Sequence, residues 1–128
     1  MRKNFLILIA GTALISCGAP EGGGDPAPIS DSPNHVVTKL LEFQPRKLTV
    51  PAGTEVTWDA GDNIAHTVTS GTFAVGADGL RSSEQPDGKL DQPLAKGRPV
   101  TFTFTDPGTY QYYCSIHKGM QAEIDVTR

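Results

Sequence analysis

A β-sandwich is the fold class this chain predicts, on three observations. Its apolar residues recur in short runs with a period of two, Gly/Pro turns separate those runs, and no segment carries a long apolar period of about 3.6. Residues 36–43 and 47–50 read as strands, the second ended by the turn Pro51-Ala52-Gly53. Residues 54–58 alternate polar and apolar, with Val56 and Trp58 on one face. The turn-rich stretch 59–63 leads to a β-branched strand at 66–70. Residues 100–105 alternate cleanly, Phe102 and Phe104 to one side and Thr101, Thr103 and Thr105 to the other. Asp106-Pro107-Gly108 forms a turn, because Pro presets φ and Gly supplies a positive one. Residues 109–114 and 122–127 complete the set. Residues 74–97, rich in Gly, Asp, Ser, Lys and Gln, read as a long surface loop with room for one short helical turn. Leu80, Leu90 and Leu94 are the candidates to pin it. There is no internal repeat.

One domain accounts for residues 35–128. Ahead of it, residues 1–16 have a basic start (Arg2, Lys3), an apolar run from Phe5 to Ile15 and a small residue, Ser16, as in a secretory signal peptide. That run is short of the roughly 20 residues of a membrane-spanning helix. Leu14-Ile15-Ser16-Cys17 resembles the bacterial lipobox, in which the Cys becomes the lipidated first residue of the mature chain. Residues 17–34 would then be the lipidated Cys17 and a flexible Gly/Pro spacer, too poor in apolar surface to offset chain entropy. The expected location is extracytoplasmic, anchored to a bacterial membrane, in the periplasm or at the cell surface. His35, at the junction of spacer and domain, reads as a solvated surface residue.

The formal net charge is −3 and falls to about −5 once Arg2 and Lys3 are left out. With no basic stripe, nucleic acid is excluded as a partner. The chain has two Cys, and lipidation uses Cys17. Cys114 is then without a disulfide partner in an oxidising compartment and calls for reactivity or metal binding.

The segment Tyr110-Gln111-Tyr112-Tyr113-Cys114-Ser115-Ile116-His117-Lys118-Gly119-Met120 supplies the metal-binding reading. In a strand, Tyr110, Tyr112 and Cys114 share one face, so tyrosines that fill the core aim the thiol inward. His117 and Met120 follow in the next loop. Thiolate, imidazole and thioether make a soft ligand set that favours copper, and a second imidazole would complete the two-His, one-Cys, weak-Met set of a blue-copper site. His66, at the start of a strand about fifty residues upstream, can provide it. Apart from Met1, Met120 is the one Met in the chain.

From about residue 40 to 127 the chain resembles a small cupredoxin of the plastocyanin, amicyanin and pseudoazurin group. The resemblance rests on Phe43-x-Pro45, Leu48-Thr49-Val50-Pro51-Ala52-Gly53-Thr54-x-Val56-Thr57-Trp58, His66-Thr67-Val68, Phe102-x-Phe104, Pro107-Gly108-Thr109-Tyr110 and Cys114-x-x-His117-x-x-Met120. The short His-x-x-Met spacing is amicyanin-like. The resemblance implies an all-β Greek-key sandwich with one type 1 copper near one end and the His117 ring edge close to the surface. Two departures stand out. Ile116 occupies a position where the family often has Pro. Thr67 occupies one where several relatives have Asn, and its hydroxyl can still bond the Ser115 region and tie the ligand segments together.

The implied function is single-electron transfer between Cu(I) and Cu(II) on the outside of a membrane. Cys114 would be the thiolate, His66 the buried imidazole, His117 the surface-proximal imidazole and electron port, and Met120 the weak axial ligand. Gly61, Ile64, Ala65, Ile116 and Gly119 would form a weakly charged docking patch for a redox donor and acceptor, whether cytochrome, oxidase or reductase, with the protein a monomer. Tyr113, opposite Cys114, reads either as an exposed second docking area or as an ordinary surface aromatic. A copper-delivery protein of the same fold is the alternative. An enzyme is not expected, because no further His-rich site and no nucleophile–base pair exist. A purely structural immunoglobulin-like module would explain the strands but not the ligand loop.

Overall fold

The computed structural model describes residues 32–128. The expected signal segment 1–16, the lipidation at Cys17 and the spacer up to residue 31 lie outside the described residues. Among the described residues nine strands carry the fold: β1 (His35–Lys39), β2 (Glu42–Gln44), β3 (Lys47–Pro51), β4 (Thr54–Ala60), β5 (His66–Val75), β6 (Arg81–Leu94), β7 (Val100–Phe104), β8 (Gly108–Tyr113) and β9 (Gln121–Thr127). One sheet has the order β2-β1-β4-β7 and the other β3-β9-β8-β5-β6, with β1·β4 and β3·β9 parallel and the other pairs antiparallel. There is no helix among the described residues, and the expected all-β sandwich is the observed one.

The period of two makes the core. Val56, Trp58 and Ala60 of β4 and Ala122, Ile124 and Val126 of β9 are buried, while their chain neighbours are more exposed. Phe43 meets Tyr112 edge-on at a centroid distance of 4.8 Å, and Trp58 meets Tyr112 at 5.5 Å. Such pairs are worth ~0.5–1.5 kcal/mol beyond the area they bury. This aromatic cluster lies on the same face of β8 as Cys114, and both belong to the core.

Three expectations are corrected. The strand expected over 36–43 is a hairpin, broken at Leu40, whose φ is +56° and whose N–H donates to Asp62 Oδ2 at 2.7 Å. His35 is not a solvated junction residue. It opens β1, its side chain is 12 % exposed, and its Nε2 lies 2.5 Å from Asp59 Oδ2.

The largest correction concerns residues 74–97, which form no loop but the end of β5, a turn and all of β6. Strand β6 sits at the edge of its sheet, so most of its side chains face solvent and its composition is polar; Pro86 and Pro93 are tolerated there for the same reason. Leu90 and Leu94 are buried as expected, but Leu80 is 47 % exposed. The β5–β6 register breaks between Thr69, which faces Asp91, and Gly71, which faces Pro86. Gly71 has φ +151°, and a Cβ there would overlap the Gln85 carbonyl oxygen, so this bulge requires glycine. Beyond it, Phe73 reaches Tyr113 at 6.0 Å and the Arg81 N–H donates to the Lys118 carbonyl at 2.9 Å. The outer half of the hairpin thus lies against β8 and the loop that follows it.

Candidate metal centre

Cys114 directly follows β8 and is fully buried. The chain then turns at once: Met120 N–H donates to the His117 carbonyl at 3.1 Å, and Cys114 N–H donates to the Met120 carbonyl at 3.0 Å. This closed loop brings the His117 Nδ1 to 3.4 Å from the Cys114 Sγ. His66, 1 % exposed, arrives from the first residue of β5, because β5 pairs with β8 through Thr69↔Tyr113 and Ser70↔Tyr112. One donor atom from each of His66, Cys114 and His117 lies within 4.8 Å of the others. Donors held at about 2.0–2.3 Å from a common first-row ion stand roughly 3.5 Å apart, so the spacing is of the right order.

The nitrogen chemistry fits as well. His66 Nδ1 is buried with no hydrogen-bond partner, an orphan that a metal would satisfy. Its other nitrogen, Nε2, faces Asp62 Oδ1 at 3.4 Å and can donate its proton there, which leaves Nδ1 as the lone-pair atom. Burial lowers the His66 pKa below the ordinary histidine value, against the opposing pull of Asp62, and favours the neutral ring that a metal needs. Burial acts to raise Asp62, but the N–H groups of Ile64 and Leu40 together with the His66 ring hold it below the usual range. The two imidazole rings meet edge-on, 5.2 Å between centroids.

Hydrogen bonds fix the two ligand segments to each other. The backbone N–H of Thr67 points at the Cys114 Sγ, 3.4 Å away, as suits a thiolate. Thr67 Oγ1 accepts from Ser115 N–H at 2.8 Å and lies 3.0 Å from Ser115 Oγ, the tie expected of it. Met120 is 1 % exposed within the same core. His117 is half-buried and Ile116 before it is 55 % exposed; of the other residues expected in a docking patch, Gly61 and Ala65 are exposed and Ile64 and Gly119 are half-buried. Leu80 adjoins Gly119, and the exposed Leu40 and Leu41 sit at the turn held by Asp62.

Two features depart from expectation. Tyr113 is not exposed in either of the expected ways: it is 1 % accessible, covered by Phe73 and by the Arg81 guanidinium 4.7 Å above its ring. Asp62 and Arg81 escaped sequence reasoning. Asp62 stands four residues before His66 in a turn-rich stretch, a spacing that could have flagged it. Arg81 sits in a polar run with no local signal.

Comparison with known proteins agrees with this geometry. The sequence profile of the copper binding proteins, plastocyanin/azurin family, matches residues 32–127. The chain is 33 % identical to plastocyanin of Sambucus nigra over 81 residues, covering 62 % of this chain and 79 % of that one. It is 25 % identical to amicyanin of Paracoccus versutus, over 97 % of this chain and 96 % of the other. Among solved structures it is similar to a purple cupredoxin from Nitrosopumilus maritimus (TM-score 0.51, 25 % identity, 73 % of this chain and 98 % of that one). It is also similar to the reduced state of an amicyanin mutant (TM-score 0.56, 25 % identity, 77 % and 86 % of the two chains). Matched along three quarters of its length and carrying a His–Cys–His cluster, the chain belongs to the plastocyanin/azurin family of copper-binding proteins and is a cupredoxin.

Proposed function

We propose that this cupredoxin is a single-electron carrier rather than an enzyme, with His66, Cys114 and His117 as its strong copper ligands and Met120 as a weak axial one. The observation that carries this reading is the convergence of one thiol and two imidazoles on a common point, with the His66 Nδ1 buried and otherwise unpartnered. Bound copper would supply a one-electron Cu(I)/Cu(II) couple. The protein's part is to hold the ligands still while the charge changes. The closed loop 114–120, the Thr67–Ser115 tie and the Asp62–His66 contact serve that end.

His117 is the route in and out for the electron. It is the partly exposed member of the cluster, and the exposed side chains of Ile116 before it and of Leu80 against Gly119 suit transient docking of a redox protein, a cytochrome, oxidase or reductase. Cys17 would carry the lipid, and the Gly/Pro-rich spacer would hold the domain off the outer side of a bacterial membrane.

The test is to purify the full chain in detergent, add Cu(II), and record visible and paramagnetic-resonance spectra beside Cys114→Ala. An intense thiolate-to-copper band, bleached by ascorbate and absent from the variant, is expected. A colourless protein, or a tetragonal copper signal indifferent to Cys114, overturns the reading. For the anchor, Cys17→Ser should move the protein from the membrane fraction to the soluble one; unchanged partitioning would refute lipidation there.

A further inference from the structure

The side chain of Arg81 is fully buried, 0 % exposed, and all five of its N–H donors have acceptors. Nη2 donates to the carbonyls of Cys114 (2.5 Å) and His117 (3.0 Å). Nη1 donates to the Met120 carbonyl (2.8 Å) and to Gln121 Oε1 (3.1 Å). Nε donates to Glu84 Oε1 (3.0 Å). The backbone N–H of Arg81 adds a bond to the Lys118 carbonyl at 2.9 Å. The guanidinium therefore holds the carbonyls of three of the four proposed ligand residues from outside the core. Its own position is fixed by the Tyr113 ring beneath it and by Glu84, which also pairs with Lys118 Nζ at 2.7 Å.

A buried guanidinium with every donor used is costly to disturb, since each carbonyl left without its donor must find another or open to water. Its geometry is also directional: a planar fork reaches several carbonyls at fixed angles, which the point charge of a lysine cannot copy. The carbonyls it binds belong to a loop whose dihedrals set where the Cys114 thiol and the His117 ring point. Finally, a positive charge so close to the ligands favours the less positive of two redox states, and Glu84 partly offsets it.

We propose that Arg81 is a positioning residue for the copper site, clamping the Cys114–Met120 loop by its carbonyls and biasing the couple toward the reduced ion. The proposal rests on the ligand assignment above. The experiment uses the full chain loaded with copper, with the midpoint potential read by voltammetry and copper loss timed against bathocuproine disulfonate.

Arg81→Met should lower the reduction equilibrium constant at least tenfold, about 59 mV for one electron, and speed copper loss at least tenfold. Arg81→Lys, which keeps the charge but not the fork, should recover most of the potential while copper loss stays fast. Glu84→Gln, which removes the offsetting charge, should move the potential up, opposite to Arg81→Met. A residue that merely supports the fold would not produce shifts of opposite sign. Wild-type potential and copper loss in Arg81→Met overturn the clamp, as does a shift of the same sign in Glu84→Gln. Should Arg81→Met fail to fold, the other two variants decide: slow copper loss in the lysine variant, or an unmoved potential in the glutamine variant, refutes it. A wild type with no Cys114-dependent copper band sinks the ligand assignment and the clamp with it, whereas a blue wild type with indifferent variants sinks the clamp alone.

Discussion

Tyr112 and Tyr113 are neighbours in β8, and both are buried, at 2 % and 1 % exposure, yet they are buried by different means. Tyr112 points into the sandwich, where Phe43 and Trp58 pack on it. Tyr113 points the other way and is covered by a polar hairpin that lays Phe73 beside it and Arg81 across it. The inner face is held by apolar transfer and close packing, which is shared over the whole domain. The outer face is held by a charge network that reaches the ligand loop at Cys114, His117, Lys118 and Met120. Damage to the first should therefore appear as global stability, and damage to the second as a change in the site.

Tyr112→Ala is the largest way to test this division. It removes the ring that joins Phe43 to Trp58 and leaves a cavity beneath Cys114, at a cost of ~3–5 kcal/mol by analogy with other buried aromatic truncations. The urea midpoint should fall steeply in the copper-free protein as well as in the loaded one. A loss confined to the loaded protein would mean that the inner face, too, serves the site rather than the fold.

Thr67→Val tests the bridge between the ligand segments. It deletes the acceptor for Ser115 N–H and the contacts with Thr69 Oγ1 and Ser115 Oγ, each near 3.0 Å, while preserving shape. A loss of about 1–2 kcal/mol is expected, together with a change in the visible spectrum, because the tie is two residues or fewer from His66 and Cys114. A shifted midpoint with an unaltered spectrum would show that Thr67 supports only the sheet.

Legibility in sequence follows the same division. Inward-facing strands announce themselves, because burying one face forces alternation, and Val56-Thr57-Trp58 or Ile124-Asp125-Val126 carry that alternation openly. The ligand loop was legible because its unusual residue types lie within a few positions of one another. The outer face was not. Strand β6 is polar because it lies at an edge, and its composition resembles that of a loop. Arg81 meets carbonyls 33 to 39 positions away along the chain, and nothing near it in sequence records which backbone oxygens a folded hairpin will present. Tyr113 was misread for the same reason: alternation placed it on the outer face, but only the bulge at Gly71 brings a cover onto that face.

Tyr113→Leu separates the two faces more finely. It keeps apolar volume but removes the ring under Arg81 and the edge contact with Phe73, for a loss of about 1 kcal/mol. Copper loss to a chelator should accelerate more than the urea midpoint shifts. The reverse ordering, a large drop in midpoint with copper retention unchanged, would place Tyr113 with the core.

The smallest effect is expected from the charges that join β3 to β9. Lys47 of β3 bonds Asp125 Oδ2 at 2.8 Å and Glu123 Oε1 at 3.0 Å on β9. Lys47, then the Thr109 hydroxyl, holds the Asp125 carboxyl below its ordinary value of 3.8, while Asp125 and then Glu123 raise Lys47 above 10.5. The signs differ at the two ends of the pH scale. The depressed carboxylate contributes stability above the unfolded aspartate pKa and loses it as pH falls through the lower folded value. The raised ammonium contributes fully below the unfolded lysine pKa and loses it as pH rises through the higher folded one. Stability should thus be flat between roughly pH 5 and 9 on account of this pair and decline gently outside that window. Exposure and salt keep both limbs shallow, so Asp125→Asn should flatten the acid limb of a low-salt pH titration of the urea midpoint and leave the copper spectrum unmoved. A changed spectrum would mean that the β3–β9 edge communicates with the ligand loop, and the separation between the two faces of β8 would then have to include a third path.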